Sequence, residues 1–464
     1  MLRHSSARVK LRNSRMSGPG AFLAMSVLAA MAVGIRAESP LSLKEAMRSV
    51  LQHSEEAQLM SEKETRLDAQ KSEALSGALP NVQLYANAGR GSSPFDPNAF
   101  FPDTTGRTPP VINFAQNRFS YGVQVNQPIY SFGRVGQAYH IASVLQRSQV
   151  QGNQRSRQQL ELQTLDSFYG LAVALARREV IQTSLKRQGE TVALMQSNFK
   201  MGAGQRSAVL LATASLKGLE PQRIRAESEA DAAGMALNRL LGRPIQSPLE
   251  LDTALMAESG IPSVDTSESG IQNSLNRRSD LSSLALQKDA LKGYAKIYRM
   301  QYLPSLGFQG KWGILAYHLN NQLHDFDKDF DWQVGVGLQW TIFDGFGQSS
   351  KAREYDSDAR SLDLSERQAR AFARIEIEGA LREADAAETG CEASKQALDA
   401  ADDALQMITG DFRSGKGQIT ELLSAEEGLR NAELGLLSAR YQKIRARAAL
   451  RVALGMDLIE EGSK

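Results

Sequence analysis

The chain has a single cysteine, Cys391, so no intrachain disulfide can form and no paired-thiol zinc motif exists. Cys391 lies in a proline-free helical stretch, where it reads as a small packing residue. The chain also has no excess of one charge: over 464 residues the formal net charge is +2, without the basic surplus of a nucleic-acid binder. Downstream of residue 37, no apolar run reaches the roughly 18 residues that a membrane-spanning helix needs. There is no HExxH, no Ser/His/Asp signature and no glycine loop placed to cradle phosphate. Its glycine pairs follow helical stretches rather than strands, which is the wrong order for a nucleotide site. An enzyme reading therefore has no support, and neither a cofactor nor a metal is expected. Proline is absent from Ile129 through Glu220 and again from Ser305 to the C-terminus. A proline costs about 3 kcal/mol inside a helix, so gaps this long point to very long helices.

What is present begins with a repeat. The run Phe199-Lys-Met-Gly-Ala-Gly-Gln returns as Phe412-Arg-Ser-Gly-Lys-Gly-Gln, a spacing of 213 residues. The same spacing carries Leu210, Ala212 and Leu216 onto Leu423, Ala425 and Leu429, and Ile129-Tyr130 onto Ile342-Phe343. It also carries Leu241-Gly242 onto Leu454-Gly455. One offset held over such a distance marks an internal duplication.

The N-terminus reads as a targeting segment over residues 1–37. Arg3, Arg8, Lys10, Arg12 and Arg15 form a basic region, an Ala-rich apolar run follows from Ala21 to Ile35, and Ala37 is a small residue before cleavage. Met16 is an alternative start to Met1. Export without a helical anchor leaves a soluble periplasmic protein or an outer-membrane β-barrel.

Four segments alternate with the period of a strand. The first, about 81–89, sets Val82, Leu84, Ala86 and Ala88 against Asn81, Gln83, Tyr85 and Asn87. In the second, about 119–127, Phe119, Tyr121, Val123 and Val125 share one face. The third, about 305–314, aligns Leu306, Phe308, Trp312 and Ile314. The fourth, about 331–340, aligns Trp332, Val334, Val336, Leu338 and Trp340 against Asp331, Gln333 and Gln339. Such segments fit a half-buried soluble sheet, and equally fit membrane staves with lipid on one side and water on the other. Trp332 and Trp340 end the same apolar face, where an aromatic girdle belongs. The loop after the third strand holds His318, His324, Asp325, Asp327 and Asp329, which read as solvated acids rather than a metal site.

Between strands and repeats lie stretches of about 65 residues, 136–200 and 348–411, rich in Ala, Leu, Gln, Arg and Glu. At about 1.5 Å per residue each predicts roughly 100 Å of helix. Gly202 and Gly204, like Gly415 and Gly417, suit a helix end and turn. Return helices are expected at about 207–241 and 418–455, and Leu41–Ser76 and Ser269–Arg299 are helical segments that complete the length. The first repeat therefore spans 38–244 and the second 269–464, with 245–268 either a linker or an equatorial collar. Four staves cannot close a membrane barrel, for which about eight is the minimum. An open edge in lipid leaves backbone groups unpaired. The chain must therefore oligomerise, and a symmetric trimer would supply twelve strands. The rival reading is a periplasmic coiled-coil scaffold or tether with a small soluble sheet.

The twin Leu79-Pro80 and Leu303-Pro304 strand starts carry a resemblance, together with Gln127-Pro-Ile-Tyr-Ser-Phe-Gly133, Thr341-Ile-Phe-Asp-Gly-Phe-Gly347 and the paired Phe-x-x-Gly turns. The chain resembles the TolC-like outer-membrane efflux proteins over nearly all of its length after residue 37. The resemblance implies an α+β membrane protein: a trimeric twelve-stranded barrel in the outer membrane of a Gram-negative-type bacterium, continued by an α-helical barrel across the periplasm. It also implies a passive duct working with a periplasmic adaptor and an inner-membrane transporter. By position, Gly202, Gln205, Arg206 and Ser207, with Gly415, Gln418, Ile419 and Thr420, are implied periplasmic tip contacts. Glu421 falls on the first of two acidic aperture positions of some relatives, and Ser424 falls on the second. The departure at Ser424 argues against strong cation selectivity.

Overall fold

A computed structural model describes residues 40–95, 112–252, 264–316 and 330–458. The targeting segment and the acidic loop from His318 to Asp329 lie outside the described residues.

The two halves are built alike. In the first, α1 (Leu43–His53) and α2 (Glu55–Ser76) lead into β1 (Asn81–Phe95) and β2 (Ile112–Tyr130). The chain then runs through α3 (Arg134–Lys200), turns, and returns as α4 (Arg206–Leu240). In the second half, α5 (Glu268–Arg277) and α6 (Ser279–Met300) precede β3 (Ser305–Ala316), β4 (Phe330–Gln339), α7 (Gly347–Arg413) and α8 (Ile419–Ala453). Helices α3 and α7 have 67 residues each, and α4 and α8 have 35 each. At about 1.5 Å per residue the long helices reach roughly 100 Å.

The segments before the strands are each broken in two, where the sequence reading had them continuous. Ser54 sits in an extended conformation and its side chain accepts from the Ala57 N–H at 3.1 Å, so it stops α1 and caps α2. Arg278 makes the matching break between α5 and α6, with φ −57° and ψ 124°. Strands β1 and β2 run further than their alternation showed. Pairing continues from Gly89↔Arg118 to Phe95↔Ile112, beyond the alternation read from the sequence.

The sheet is antiparallel throughout, in the order β1-β2-β3-β4, so β1 and β4 are its edges. Its register lines up whole rows. Leu84, Val123, Trp312 and Trp332 form an apolar row on one face, and Gln83, Gln124, Lys311 and Gln333 form the adjacent polar row on the other. On the polar face Gly122 and Gly313 stand opposite each other under the Tyr85 ring. A Cβ on Gly313 would come within 2.6 Å of the Tyr85 hydroxyl, so glycine there makes room for the ring. Lys311 Nζ lies 4.5 Å from the centre of that ring, a cation–π contact.

Below the sheet, α2, α3, α6 and α7 pack side by side in the order of the strands they serve, and α4 and α8 pack on the far halves of the long helices. The main core sits where these layers meet, at the equator. Met47, Val50, Leu165, Phe168, Leu237 and Leu240 are all 2% exposed or less and belong to one cluster. The described part of the middle segment packs onto that core through Leu249 and Leu251. Leu41 pairs with Leu251, and the Asn238 side chain donates to the carbonyls of Ile245 and Ser247. Residues 253–263 lie outside the described residues.

Candidate functional site: the two helical tips

Each long helix ends in the same motif. Gly202 has φ 76° and Gly415 has φ 79°, in the left-handed region. The Gly202 N–H bonds the Phe199 carbonyl and the Ala203 N–H bonds the Asn198 carbonyl, at 3.0 and 2.9 Å. Gly415 and Lys416 repeat both bonds onto Phe412 and Asp411. This is a Schellman ending, which satisfies the last carbonyls of the helix and needs a left-handed residue. The second glycine of each pair serves another purpose. A Cβ on Gly204 or Gly417 would come within 3.0 or 2.9 Å of the backbone nitrogen of Phe199 or Phe412. One glycine turns the chain and the other lets it pass close to the helix it has left.

The tips differ where the return helices begin. In α8 the Glu421 carboxylate accepts from the Gln418 N–H at 3.1 Å, closing the helix N-terminus. The equivalent residue in α4 is Ala208, which has no such group. Of the residues singled out in the sequence, Gly202, Gln205, Arg206, Ser207, Gly415, Gln418 and Thr420 are exposed at the end of the molecule. Ile419 is half-buried: it and Phe412 pack on Val192, Met195 and Ala212, so its side chain joins the two hairpins to each other. Thr420, Glu421 and Ser424 line a groove between α7 and α8, with Ala401, Ala404 and Ile408, enclosing about 480 Å³. Glu421 is thus both a helix cap and a groove residue.

Above the tips runs a polar seam that the sequence reading missed. Glu426 is 5% exposed, and one of its oxygens accepts from the Thr191 hydroxyl at 2.8 Å. Its other oxygen has no partner among the described residues, and the same holds for Ser184 Oγ, Arg187 Nη1, Gln188 Oε1 and Glu433 Oε2 along the same seam. Burial pushes the Glu426 carboxyl above the usual carboxylate range, against the pull of Thr191, Arg187 and Arg430. One signal could have found it. Leu422, Leu429 and Leu436 recur every seven residues as the buried seam of α8, and Glu426, Arg430 and Glu433 are interleaved among them.

At the other end of the molecule, Trp332, Val334, Val336, Leu338 and Trp340 are exposed by 46–66%. Tyr121 is 42% exposed, while Phe119, Val123 and Val125 are half-buried on the inner strand β2. Among the described residues no helix is long and apolar enough to cross a membrane.

The family model for "Outer membrane efflux protein" matches residues 64–243 and 270–456, one match per half. The chain is 24% identical over 308 residues to outer membrane protein TolC of Vibrio cholerae, covering 65% of this chain and 68% of the relative. It is 23% identical over 306 residues to the alkaline protease secretion protein AprF of Pseudomonas aeruginosa, covering 64% and 62%. Among solved structures, the Campylobacter jejuni CmeC outer membrane channel superposes with a TM-score of 0.73 at 16% identity, over 98% of this chain and 96% of that one. These matches decide between duct and tether. The chain belongs to the outer membrane efflux protein family, and it is an outer-membrane channel protein that extends into the periplasm.

Proposed function

We propose that the chain is the passive exit duct of a tripartite efflux or type I secretion system, working as a homotrimer. One observation carries the reading. The four-stranded sheet has two open edges and an exposed apolar face, and it is joined to helices of 67 residues each. Unpaired strand edges in lipid cost several kcal/mol per lost hydrogen bond. A ring of three copies pairs β4 of one with β1 of the next and leaves no edge. The polar rows of Gln83, Gln124, Lys311 and Gln333 then face a water-filled lumen.

In this reading the tips meet a periplasmic adaptor, which joins them to an inner-membrane transporter. The Gly202–Ser207 and Gly415–Thr420 turns end the two helical hairpins, roughly 100 Å from the sheet. Lipid outside the sheet and the adaptor at the tips are the two partners the shape calls for.

The test begins with extraction. The wild-type chain is expected to leave membranes only in detergent and to migrate as a trimer; a detergent-free soluble monomer would sink the proposal. Val336→Asp places a charge on the exposed apolar face and should destabilise membrane assembly by about 1–2 kcal/mol, less than a Lys or Arg costs near the midplane. Wild-type insertion of this variant would remove the stave assignment.

A further inference from the structure

The duplication lets the two equatorial grooves be laid over each other. In the second half α5 closes onto α7: Glu268 lies 3.1 Å from Arg374, and the Asn276 side chain accepts from Arg370. The helices before the strands correspond at an offset of 224, the distance from the Ser54 break to the Arg278 break, and the long helices correspond at 213. Buried Met47 thus falls on buried Ile271. On the facing positions Lys44 stands where Glu268 does, and Glu161 stands where Arg374 does. Both signs are reversed, yet the pair is not remade. Glu161 instead accepts from the Leu458 N–H at 2.8 Å.

What remains in the first half is an open groove of about 640 Å³ between α1, α2 and α3. Its three acids are already engaged: Glu64 by the Asn153 side chain, Glu161 by Leu458, and Asp457 by the Gln158 side chain. Its cations are not matched in the same way. Lys44 and Arg48 are exposed on its wall, and neither forms a salt bridge among the described residues. Apolar surface is left open beside them, since Val150 is 45% exposed, whereas its counterpart Asp363 is tied to Lys288 at 3.0 Å. The groove therefore calls for an acidic segment with an apolar residue in it.

The path of the chain supplies one. Leu458 is 7% exposed and packed in the equatorial core, and Asp457, just before it, lines the groove. The next residues in sequence are Ile459-Glu460-Glu461, which lie outside the described residues. We propose that Ile459–Glu461 seats in this groove, with Glu460 and Glu461 as the acids for Lys44 and Arg48 and Ile459 against the Val150 side. The segment would clasp α1 to α3 in the first half as Glu268 and Asn276 clasp α5 to α7 in the second. Its own chain is a better source than a second copy, because attachment at Leu458 holds the two carboxylates at the groove at an effective concentration on the order of millimolar. The clasp needs neither lipid nor a ring of copies, so its failure would leave the duct reading untouched.

The experiment uses the full-length protein in detergent. Cys391→Ser removes the one native thiol, and Gln52→Cys with Gly462→Cys places one thiol on the groove wall and one just past the acids. A short bis-maleimide is expected to join the two within one chain, identified by the linked tryptic peptides and a single-chain band on a denaturing gel. Glu460→Lys/Glu461→Lys, made in that background, should lower the yield severalfold, and adding Lys44→Glu/Arg48→Glu should restore it. Salt should lower the parent yield in the same direction, because exposed ion pairs are screened. Circular dichroism checks that each variant keeps its helices. Joining that ignores the charge reversal, or a loss that the second pair of substitutions does not repair, overturns the clasp. So does the absence of any joining in the parent, and so does a product linking two chains, which would put a neighbour's segment in the groove.

Discussion

Two polar contacts between helices can be set side by side. At the equator Arg278 is 4% exposed, and its guanidinium donates twice to Asp280, once to Glu376 and once to the Ala453 carbonyl, at 2.7–3.1 Å. Arg155 comes from α3 to bond the other Glu376 oxygen and the Val452 carbonyl. Four helices are tied there. Above the tips, α3 and α8 meet through Thr191, Arg187, Glu426 and Glu433, and five side-chain atoms of that seam lack a partner among the described residues. Arg187 reaches Glu433 only at 3.5 Å. A fully satisfied buried network rigidifies and specifies one arrangement, and an unpaired buried polar group is costly. Every nitrogen of the Arg278 guanidinium has an acceptor, whereas the seam keeps acceptors without donors.

The largest effect is expected from breaking the equator. Arg278→Met leaves Asp280 and Glu376 with Arg155 as their remaining nearby cation. The cost should be about 2–4 kcal/mol, below the full value for a buried pair because both acids are partly exposed. Heat unfolding in detergent, followed by circular dichroism, measures it. The contribution is also pH-dependent. Burial raises the Asp280 carboxyl, but hydrogen bonds and charge from Arg278, with Arg155, outweigh burial and hold it below its usual value. Its stability is therefore present above the usual carboxylate range and lost as pH falls through the depressed value.

Next come the turns. Gly202→Val with Gly415→Val forces two branched residues into left-handed conformations, at about 1–2 kcal/mol each. The equatorial core is far away, so trimers should persist while transport is lost. Unchanged efflux would show that the tips tolerate a different turn and do not dock.

How much of this was legible depended on periodicity. The duplication, the four apolar strand faces and the long helices all announce themselves as repeating patterns. The glycine turns were visible because Schellman endings require a residue type. Arg278 was not legible, since its partners come from positions 280, 376 and 453 and no local pattern joins them. Glu426 was hidden differently. It lies among heptad leucines, where a charged residue reads as a solvated neighbour until the opposing helix is placed. Ile419 was a tip contact by resemblance, and its packing on the first hairpin was not legible because its position in the turn says nothing about that neighbour.

The seam offers a smaller and reversed response to pH. Glu426 is raised by burial, so its neutral form suits the packed seam. The seam should be tightest in acid and loosen as pH rises from the usual carboxylate range through the raised value, the opposite slope to Asp280. Glu426→Gln keeps an acceptor for Thr191 and removes the charge. It should stabilise the seam by about 1 kcal/mol and flatten the pH dependence of channel opening in planar bilayers. A variant as pH-sensitive as wild type would assign that sensitivity to another group.

The smallest effect concerns the difference between the tips themselves. Glu421 caps α8 through the Gln418 N–H, and Ala208 leaves α4 without that cap. Glu421→Gln should therefore weaken the second tip by about 0.3–1 kcal/mol, the usual value of an acid in a first turn. If Glu421 also lines the aperture, the same change lessens block by multivalent cations. Ser424 stands one turn further along the same groove, where a second acid would complete a pair. Ser424→Asp should raise cation block about threefold, equivalent to about 0.7 kcal/mol, and by more than Glu421→Gln lowers it. Block that ignores both substitutions would make Glu421 a cap alone and place the aperture on other residues.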